Sequence, residues 1–269
     1  MSYPIVRNFF CIFFVLFVTS CTDIEDDVEL VPMPSVLRVG QWNVMMFGIN
    51  GNVYGMSDEV YSRGISEIDS ILTEINADIL FLNEYNDFLD VKKLHNTYET
   101  LFKKKYSFFA KSFNGCAILS TFPLRIEERV FGSRRFLVGV IRFQKQEIGI
   151  SCIHPVPNFT EYSQDERIDD HKQIVNIMKD YNNVIVAGDF NTLDSFELEP
   201  YRQARYYLCN WGNEGEIVTW PERRWALDNI VVKGLSVESY HVIPFTSVAD
   251  HYPTYAIITT GEVHEKENN

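Results

Sequence analysis

Val184-Ile185-Val186-Ala187-Gly188-Asp189-Phe190-Asn191 is the stretch on which the fold turns: four apolar residues stop at a glycine and give way to an acid and an amide. A run so short and so apolar reads as a strand buried on both faces. Upstream, Tyr162 to Tyr181 reads as a helix with Ile168, Ile174, Val175 and Met178 on its apolar side. The same order of helix, apolar strand and acid occurs once before. Ser57 with Asp58 and Glu59 looks like a capped helix start, Ile68, Ile71, Leu72 and Ile75 recur at helical spacing, and Asp78-Ile79-Leu80-Phe81-Leu82 is a buried strand that ends at Glu84. Further strands are expected at 36–44, 115–120, 136–143, 147–153, 226–232 and 255–260. Many short strands with few helices between them suggest a mixed α/β sandwich, not a purely parallel doubly wound sheet.

The chain has 269 residues, 46% hydrophobic and 23% charged, which is enough apolar material for a large core and excludes a disordered chain. Residues 1–20 read as a secretory signal: Arg7 precedes an apolar run from Phe9 to Val18, too short for a comfortable membrane span. Val18-Thr19-Ser20-Cys21 resembles the bacterial lipobox, with Cys21 as the lipidated residue; an ordinary cleaved signal or an uncleaved anchor is the alternative. Residues 21–35 form an acidic tether that resembles the surface-export signal of Bacteroidetes lipoproteins, or else a solvated spacer. One domain is expected over 36–262, followed by a polar tail at 263–269.

Formal net charge is −13; setting aside Arg7 and the five acids of the tether leaves −9 for the domain from Val36 onward. Such a surface is not built for tight non-specific binding of nucleic acid, although a bound divalent metal can supply local positive charge. Outside the leader, Cys116, Cys152 and Cys209 show no C-x-x-C spacing, so neither a disulfide framework nor a zinc site is expected.

Short polar motifs stand where the apolar runs stop: Gln41-Trp42-Asn43, Leu82-Asn83-Glu84, Ile153-His154-Pro155, Gly188-Asp189-Phe190-Asn191, Leu227-Asp228-Asn229 and Ala249-Asp250-His251-Tyr252-Pro253. A rim of carboxylates and imidazoles on a buried sheet is what metal-assisted attack on a phosphoester requires, because charge builds on the phosphoryl oxygens. Asp189 and Asn191, two apart, would project to one side of an extended strand end, and Gly188 would let backbone approach a bound group. A carboxylate bonded to His251 would set its tautomer.

This ordered set, together with Gly115-Cys116-Ala117-Ile118-Leu119-Ser120, resembles the endonuclease/exonuclease/phosphatase superfamily, the DNase I-like proteins, over nearly the whole chain after Val36. The resemblance implies a four-layer α/β sandwich of two packed mixed sheets flanked by helices, a divalent metal (magnesium, with manganese as an alternative), and hydrolysis of a phosphate ester. It implies that Glu84 is the principal metal ligand, with Asn43 and Asp250 on the metal side. It casts His154, Asp189, Asn191, Asp228 and His251 as catalytic, with Asp228 the partner of His251. Either Asp189 or His251 takes the water's proton. Asn83 replaces the glutamine usual before the metal glutamate, and Asn229 stands where inositol polyphosphate 5-phosphatases carry an arginine, which disfavours that activity.

The expectation is therefore a lipid-anchored phosphoesterase of a Gram-negative outer membrane or cell surface, acting on a small or lipid-linked ester. Nucleic acid enters only as an alternative substrate, a catalytically silent binding module is the other alternative, and no protein partner is expected. Trp211, Trp220 and Trp225 form a cleft wall or core, Arg167 and His171 are structural or solvent-facing, and Lys103-Lys104-Lys105 is a solvated run.

Overall fold

The computed structural model describes residues 36–48, 58–90, 95–113, 115–131, 134–157, 163–212 and 215–260; the leader, the tether and the polar tail lie outside them. Strand β1 (Val36–Asn43) leads through a single turn, α1 (Met45–Gly48), to helix α2 (Asp58–Ile75) and strand β2 (Ile79–Asn83). Then follow β3 (Phe88–Asp90), β4 (His95–Asn96), β5 (Phe108–Lys111), β6 (Ala117–Ser120), β7 (Leu124–Phe131), β8 (Arg134–Phe143) and β9 (Gln146–Ile153). Helix α3 (Ser163–Ile177), β10 (Asn183–Asp189), α4 (Glu199–Gln203), β11 (Tyr207–Leu208), β12 (Asp228–Lys233), β13 (Ser236–Val242) and β14 (Thr254–Thr259) complete the order. None of the helices among the described residues is long and apolar enough to cross a membrane.

Two six-stranded sheets result, ordered β13-β14-β1-β2-β6-β5 and β11-β12-β10-β9-β8-β7. Each contains one parallel pair, β1 with β2 and β9 with β10, and every other pairing within them is antiparallel. A parallel pair needs a crossover, and α2 and α3 supply one each. The repeated helix, strand and acid order is thus two βαβ units, one per sheet.

Period-two alternation decides the layers. Leu37, Val39, Ile79, Phe81, Ile150, Cys152, Ile185, Ala187, Ile230 and Val232 share the inner core between the sheets. Leu80, Leu82 and Leu119 face outward against Ile68, Ile71, Leu72 and Ile75 of α2, and Val184 and Val186 face outward with Ile174 of α3 and Met178 just beyond it. Helix, sheet, sheet and helix make the four-layer α/β sandwich, and each fully buried aliphatic side chain contributes roughly 1.5–3 kcal/mol.

The buried stripe of α3 departs from its expected apolar side. Arg167, Asp170, His171 and Ile174 are buried, and Met178 one turn on, while Ile168 and Val175 are only half-covered. Polar residues can line this face because they find partners: Arg167 donates from Nε and Nη2 to Glu197 at 2.6 and 2.9 Å, and His171 Nδ1 lies 3.3 Å from the Tyr201 hydroxyl. Arg167 Nη1 also donates to the Val156 carbonyl at 3.4 Å, so one guanidinium ties the loop after β9 to the loop after β10.

Candidate active site

On the inner face of each central strand the alternation continues past the core, but the side chains change from apolar to polar. Leu37 and Val39 of β1 are followed by Gln41 and Asn43; Ile79 and Phe81 of β2 by Asn83; Ile185 and Ala187 of β10 by Asp189. Strand β12 runs the other way and begins with Asp228 before Ile230 and Val232. The parallel strands β1, β2, β9 and β10 all deliver their carboxyl ends here, the usual ligand edge of α/β sheets. One inter-sheet layer is therefore core at one end and site at the other.

Asp228 and Asp189 are cross-strand partners on β12 and β10. His251 Nδ1 lies 2.7 Å from Asp228 Oδ2, and its Nε2 faces Asp189 Oδ2 at 3.7 Å. Gln41 Nε2 donates to the other Asp228 oxygen at 2.7 Å, and Gln41 Oε1 accepts from the Thr254 hydroxyl at 3.1 Å. Burial by itself would lower the His251 pKa, but Asp228, Asp189 and Asp250 outweigh it and lift it to about 10. Burial, supported by the charge of Asp228, raises Asp189 above the usual carboxylate range against the pull of both histidines.

The imidazole is held from several sides. Trp220 stacks on it at 5.8 Å with an 8° interplanar angle, Trp42 Nε1 donates to the His251 carbonyl at 3.1 Å, and the Tyr252 N–H donates to the Thr219 carbonyl at 2.7 Å. Thr219 Oγ1 also accepts the Asp228 N–H at 3.0 Å. The tight turn bridged by Trp220 and Trp225 is thus a wall of the site, which settles the choice between wall and core for Trp220.

Glu84 follows β2 with φ 53, and Asn191 follows β10 with φ 50. Left-handed backbone at a non-glycine costs about 1–3 kcal/mol and persists only where neighbours enforce it. For Glu84 the enforcing bonds are visible: its carbonyl accepts from Met46 N at 2.9 Å and its Oε1 from Asn43 Nδ2 at 3.1 Å. Asn43 Nδ2 also reaches Asp189 Oδ2 at 3.0 Å, so one amide spans both sheets. His154 Nε2 lies 3.7 Å from Asp189 Oδ2 and 3.9 Å from Glu84 Oε1.

The donor set suits a hard divalent cation. Glu84 presents a half-exposed carboxylate, and Asp250 has a buried Oδ1 without a hydrogen-bond partner. Desolvation first, then Glu84 and Asp228, raises the Asp250 pKa, an arrangement a cation would relieve. Ligand atoms of Asp189, Asp228 and His251 also lie within 4.8 Å of one another. Because His251 Nδ1 is already bonded to Asp228, that trio reads as a carboxylate–imidazole–carboxylate line, hydrogen-bonded at Asp228 and in ion-pair range at Asp189, and the open side of the site is Glu84, Asn43 and Asp250. An open pocket of about 670 Å³ continues from Glu84 past Met46, Tyr85, Asp87, Lys111 and Phe113.

All eight predicted site residues gather at this one edge. Two expectations about local geometry do not hold. Asn191 does not project beside Asp189 from an extended strand: Asp189 Oδ1 accepts the Asn191 N–H at 2.9 Å, which turns the chain, and Asn191 Nδ2 donates to the Pro155 carbonyl at 3.0 Å. Gly188 makes room for the neighbouring strand, not for a bound group, since a Cβ there would sit 2.0 Å from the Ile153 carbonyl oxygen. Sequence reasoning gave no role to Gln41, Thr219 or Thr254, although the inner-face alternation of β1 points to Gln41. Asn83, noted only as a departure, donates to the Ile153 carbonyl at 2.8 Å and accepts the Asp189 N–H at 2.7 Å, bridging the two sheets.

Comparison with solved structures gives the same architecture at low identity. A humanized D. rerio TDP2 superposes with a TM-score of 0.63 at 18% identity, covering 84% of this chain and 100% of that one. An endonuclease/exonuclease/phosphatase from Beutenbergia cavernae gives 0.63 at 14% identity, covering 84% and 72%. The human Nocturnin catalytic domain gives 0.59 at 16% identity, covering 84% and 95%. A comparison with curated proteins found no match. The model of the Endonuclease/Exonuclease/phosphatase family matches residues 40–251, a span that begins one residue before Gln41 and ends on His251. With that span covering most of the chain and the whole polar edge of the sandwich, the protein belongs to the endonuclease/exonuclease/phosphatase family.

Proposed function

We propose that this chain is a metal-dependent phosphoesterase acting on a small-molecule or lipid-linked phosphate ester at the cell envelope, tethered to the outer membrane through lipid on Cys21. The observation that carries the reading is the continuous line from Asp228 through His251 to Asp189, then through Asn43 to Glu84, at the edge where the strands of both sheets end.

Glu84, with Asn43 and Asp250 beside it, would hold magnesium or manganese, whose charge offsets that building on the phosphoryl oxygens. Asp228 fixes the tautomer of His251, so that Nε2 faces the substrate. His251 and His154 approach Asp189 Oδ2 from separate strand ends, both at 3.7 Å, and bracket the place for a phosphoryl group. Asn191 Nδ2 spends one hydrogen on Pro155 and has a second for a phosphoryl oxygen. Water oxygen bonds to phosphorus as the phosphorus–alcohol bond breaks. The water's proton passes to Asp189, or to the His251–Asp228 pair once His251 has released the proton its neighbouring carboxylates hold on it, and His154 stands as donor to the departing alkoxide.

The test is hydrolysis by the full chain in mild detergent with magnesium, offered DNA, RNA, phosphomonoesters, phosphodiesters and phospholipid vesicles side by side. Release from small or lipid-linked esters, abolished by chelator and by His251→Ala, is the expected result. Cleavage of nucleic acid alone would replace the substrate class with the nuclease alternative. Silence on every substrate would overturn the reading in favour of a binding module, and turnover indifferent to both controls would overturn the assignment of metal and site.

A further inference from the structure

The pocket beside Glu84 is lined by residues to which the chemistry above gives no task. Phe113, in the loop between β5 and β6, is 89% exposed, an unusual state for a phenyl ring in a site wall. Met46 and the nearly buried Tyr85 add apolar surface, and the Asn86 amide reaches Met46 Sδ at 3.8 Å. The floor is fixed: Tyr85 N–H donates to the Gly115 carbonyl at 2.9 Å, and Phe113 N–H donates to Glu128 at 2.9 Å.

Charge narrows what could sit there. Among the described residues of the lining the one cation is Lys111, and it is paired with Asp87. The acid left over, Glu84, belongs to the metal side. An extended nucleic-acid strand, with a phosphate at every step, would find no further cation among the described residues of this wall. A volume of about 670 Å³ lies within the ordinary range for small-molecule sites, and sharing Glu84 places it against the phosphoryl position.

We propose that this pocket is the subsite for the alcohol portion of the substrate, and that it selects an uncharged apolar or aromatic group, with Phe113 as the specificity-determining contact. The inference rests on the phosphoesterase reading for its substrate, but the pocket's selectivity stands or falls by binding alone. Phe113 covers one face of the organic group while the phosphoryl end reaches Glu84 and the histidines. Polyphosphates and nucleic acids are disfavoured because, among the described residues of the lining, no spare cation meets their additional charges.

The experiment is titration calorimetry of the full chain, with magnesium present, against inorganic phosphate, methyl phosphate, n-butyl phosphate and phenyl phosphate. Phenyl or butyl phosphate should bind at least about tenfold more tightly than methyl phosphate, the discrimination expected of a few buried carbons. The better of the two tells a flat site from an aliphatic one. Phe113→Ala should erase that preference and leave inorganic phosphate unchanged, whereas Phe113→Trp should keep it; the side chain is exposed, so neither variant threatens the fold. Equal affinities in the parent, or a preference that survives Phe113→Ala, would overturn the subsite. If no phosphate ligand binds, the subsite fails, and the phosphoesterase reading is judged separately by hydrolysis. A Phe113-dependent preference in a chain that hydrolyses nothing would keep the subsite and remove the reaction.

Discussion

Replacing His171 by phenylalanine should remove an acid sensitivity whose size follows from the packing of one ring. His171 is fully buried on α3, stacked on Phe190 and tilted against Tyr201, each at 5.3 Å between ring centres. Its Nε2 has no hydrogen-bond partner, and Arg167 stands one turn away. Burial first, and the guanidinium second, lower its pKa from 6.5 to about 3. The unfolded chain therefore takes up a proton below pH 6.5 that the folded chain refuses until about pH 3. Stability from this group is intact above 6.5 and lost as pH falls through that window. Each unit is worth about 1.4 kcal/mol, so near pH 4.5 the loss is roughly 3 kcal/mol and below pH 3 roughly 5. Urea denaturation of parent and His171→Phe near pH 7 and near pH 4.5 isolates it, because Asp189, Asp250 and the other carboxylates titrate in both proteins. The parent should lose roughly 3 kcal/mol more than the variant over that interval. Equal losses would refute the buried, unprotonated state of His171.

Gly188→Ala places a Cβ 2.0 Å from the Ile153 carbonyl oxygen at a backbone φ of 154, so a thermal or urea melt should show a loss of about 3 kcal/mol or more, with a marked fall in turnover because Asp189 is the next residue. Asp228→Asn keeps the shape of the side chain and removes its charge from His251; kcat should fall about 10²- to 10⁴-fold in steady-state assays, with the far-ultraviolet circular dichroism of the parent retained. Arg167→Met leaves the fully buried Glu197 carboxylate unpaired and should cost about 3–5 kcal/mol by denaturation, and adding Glu197→Leu should recover most of that loss.

The two βαβ units were legible because a buried parallel strand is a continuous apolar run, and Ile79 to Leu82 and Val184 to Ala187 are such runs. The outer strands were not. Strand β7 reads Leu-Arg-Ile-Glu-Glu-Arg-Val-Phe and β13 Ser-Val-Glu-Ser-Tyr-His-Val, charged or polar edge strands that pair on one side only. Their strand character comes from the neighbour to which they bond. The site showed a similar division. Glu84, Asp189, Asp228 and His251 stand at the ends of apolar runs, where chemistry is easily noticed. Gln41 and Asn83 sit inside strands with no exposure at all, and only their tertiary partners reveal a task. Arg167 on the buried face of α3 was unreadable for the same reason, since Glu197 lies 30 residues away.

Those amides bear on why the site would take a cation. Asp189 and Asp228 are buried neighbours, and a fold could have satisfied them with arginine or lysine. Among the described residues none bonds to either; the donors to their carboxylates are Gln41, Asn43, the backbone N–H of Asn191 and His251. An internal ion pair would cancel the carboxylate charge and leave the edge indifferent to metal. Neutral amides orient the carboxylates and meet their lone pairs while leaving the negative potential in place. Asp250, with an unbonded buried oxygen and a raised pKa, and Glu84, held in a left-handed turn, extend that potential toward the open side. One imidazolium, His251, faces the four acids Asp189, Asp228, Asp250 and Glu84, so net negative charge is kept at the point where a divalent ion and a phosphoryl group would meet.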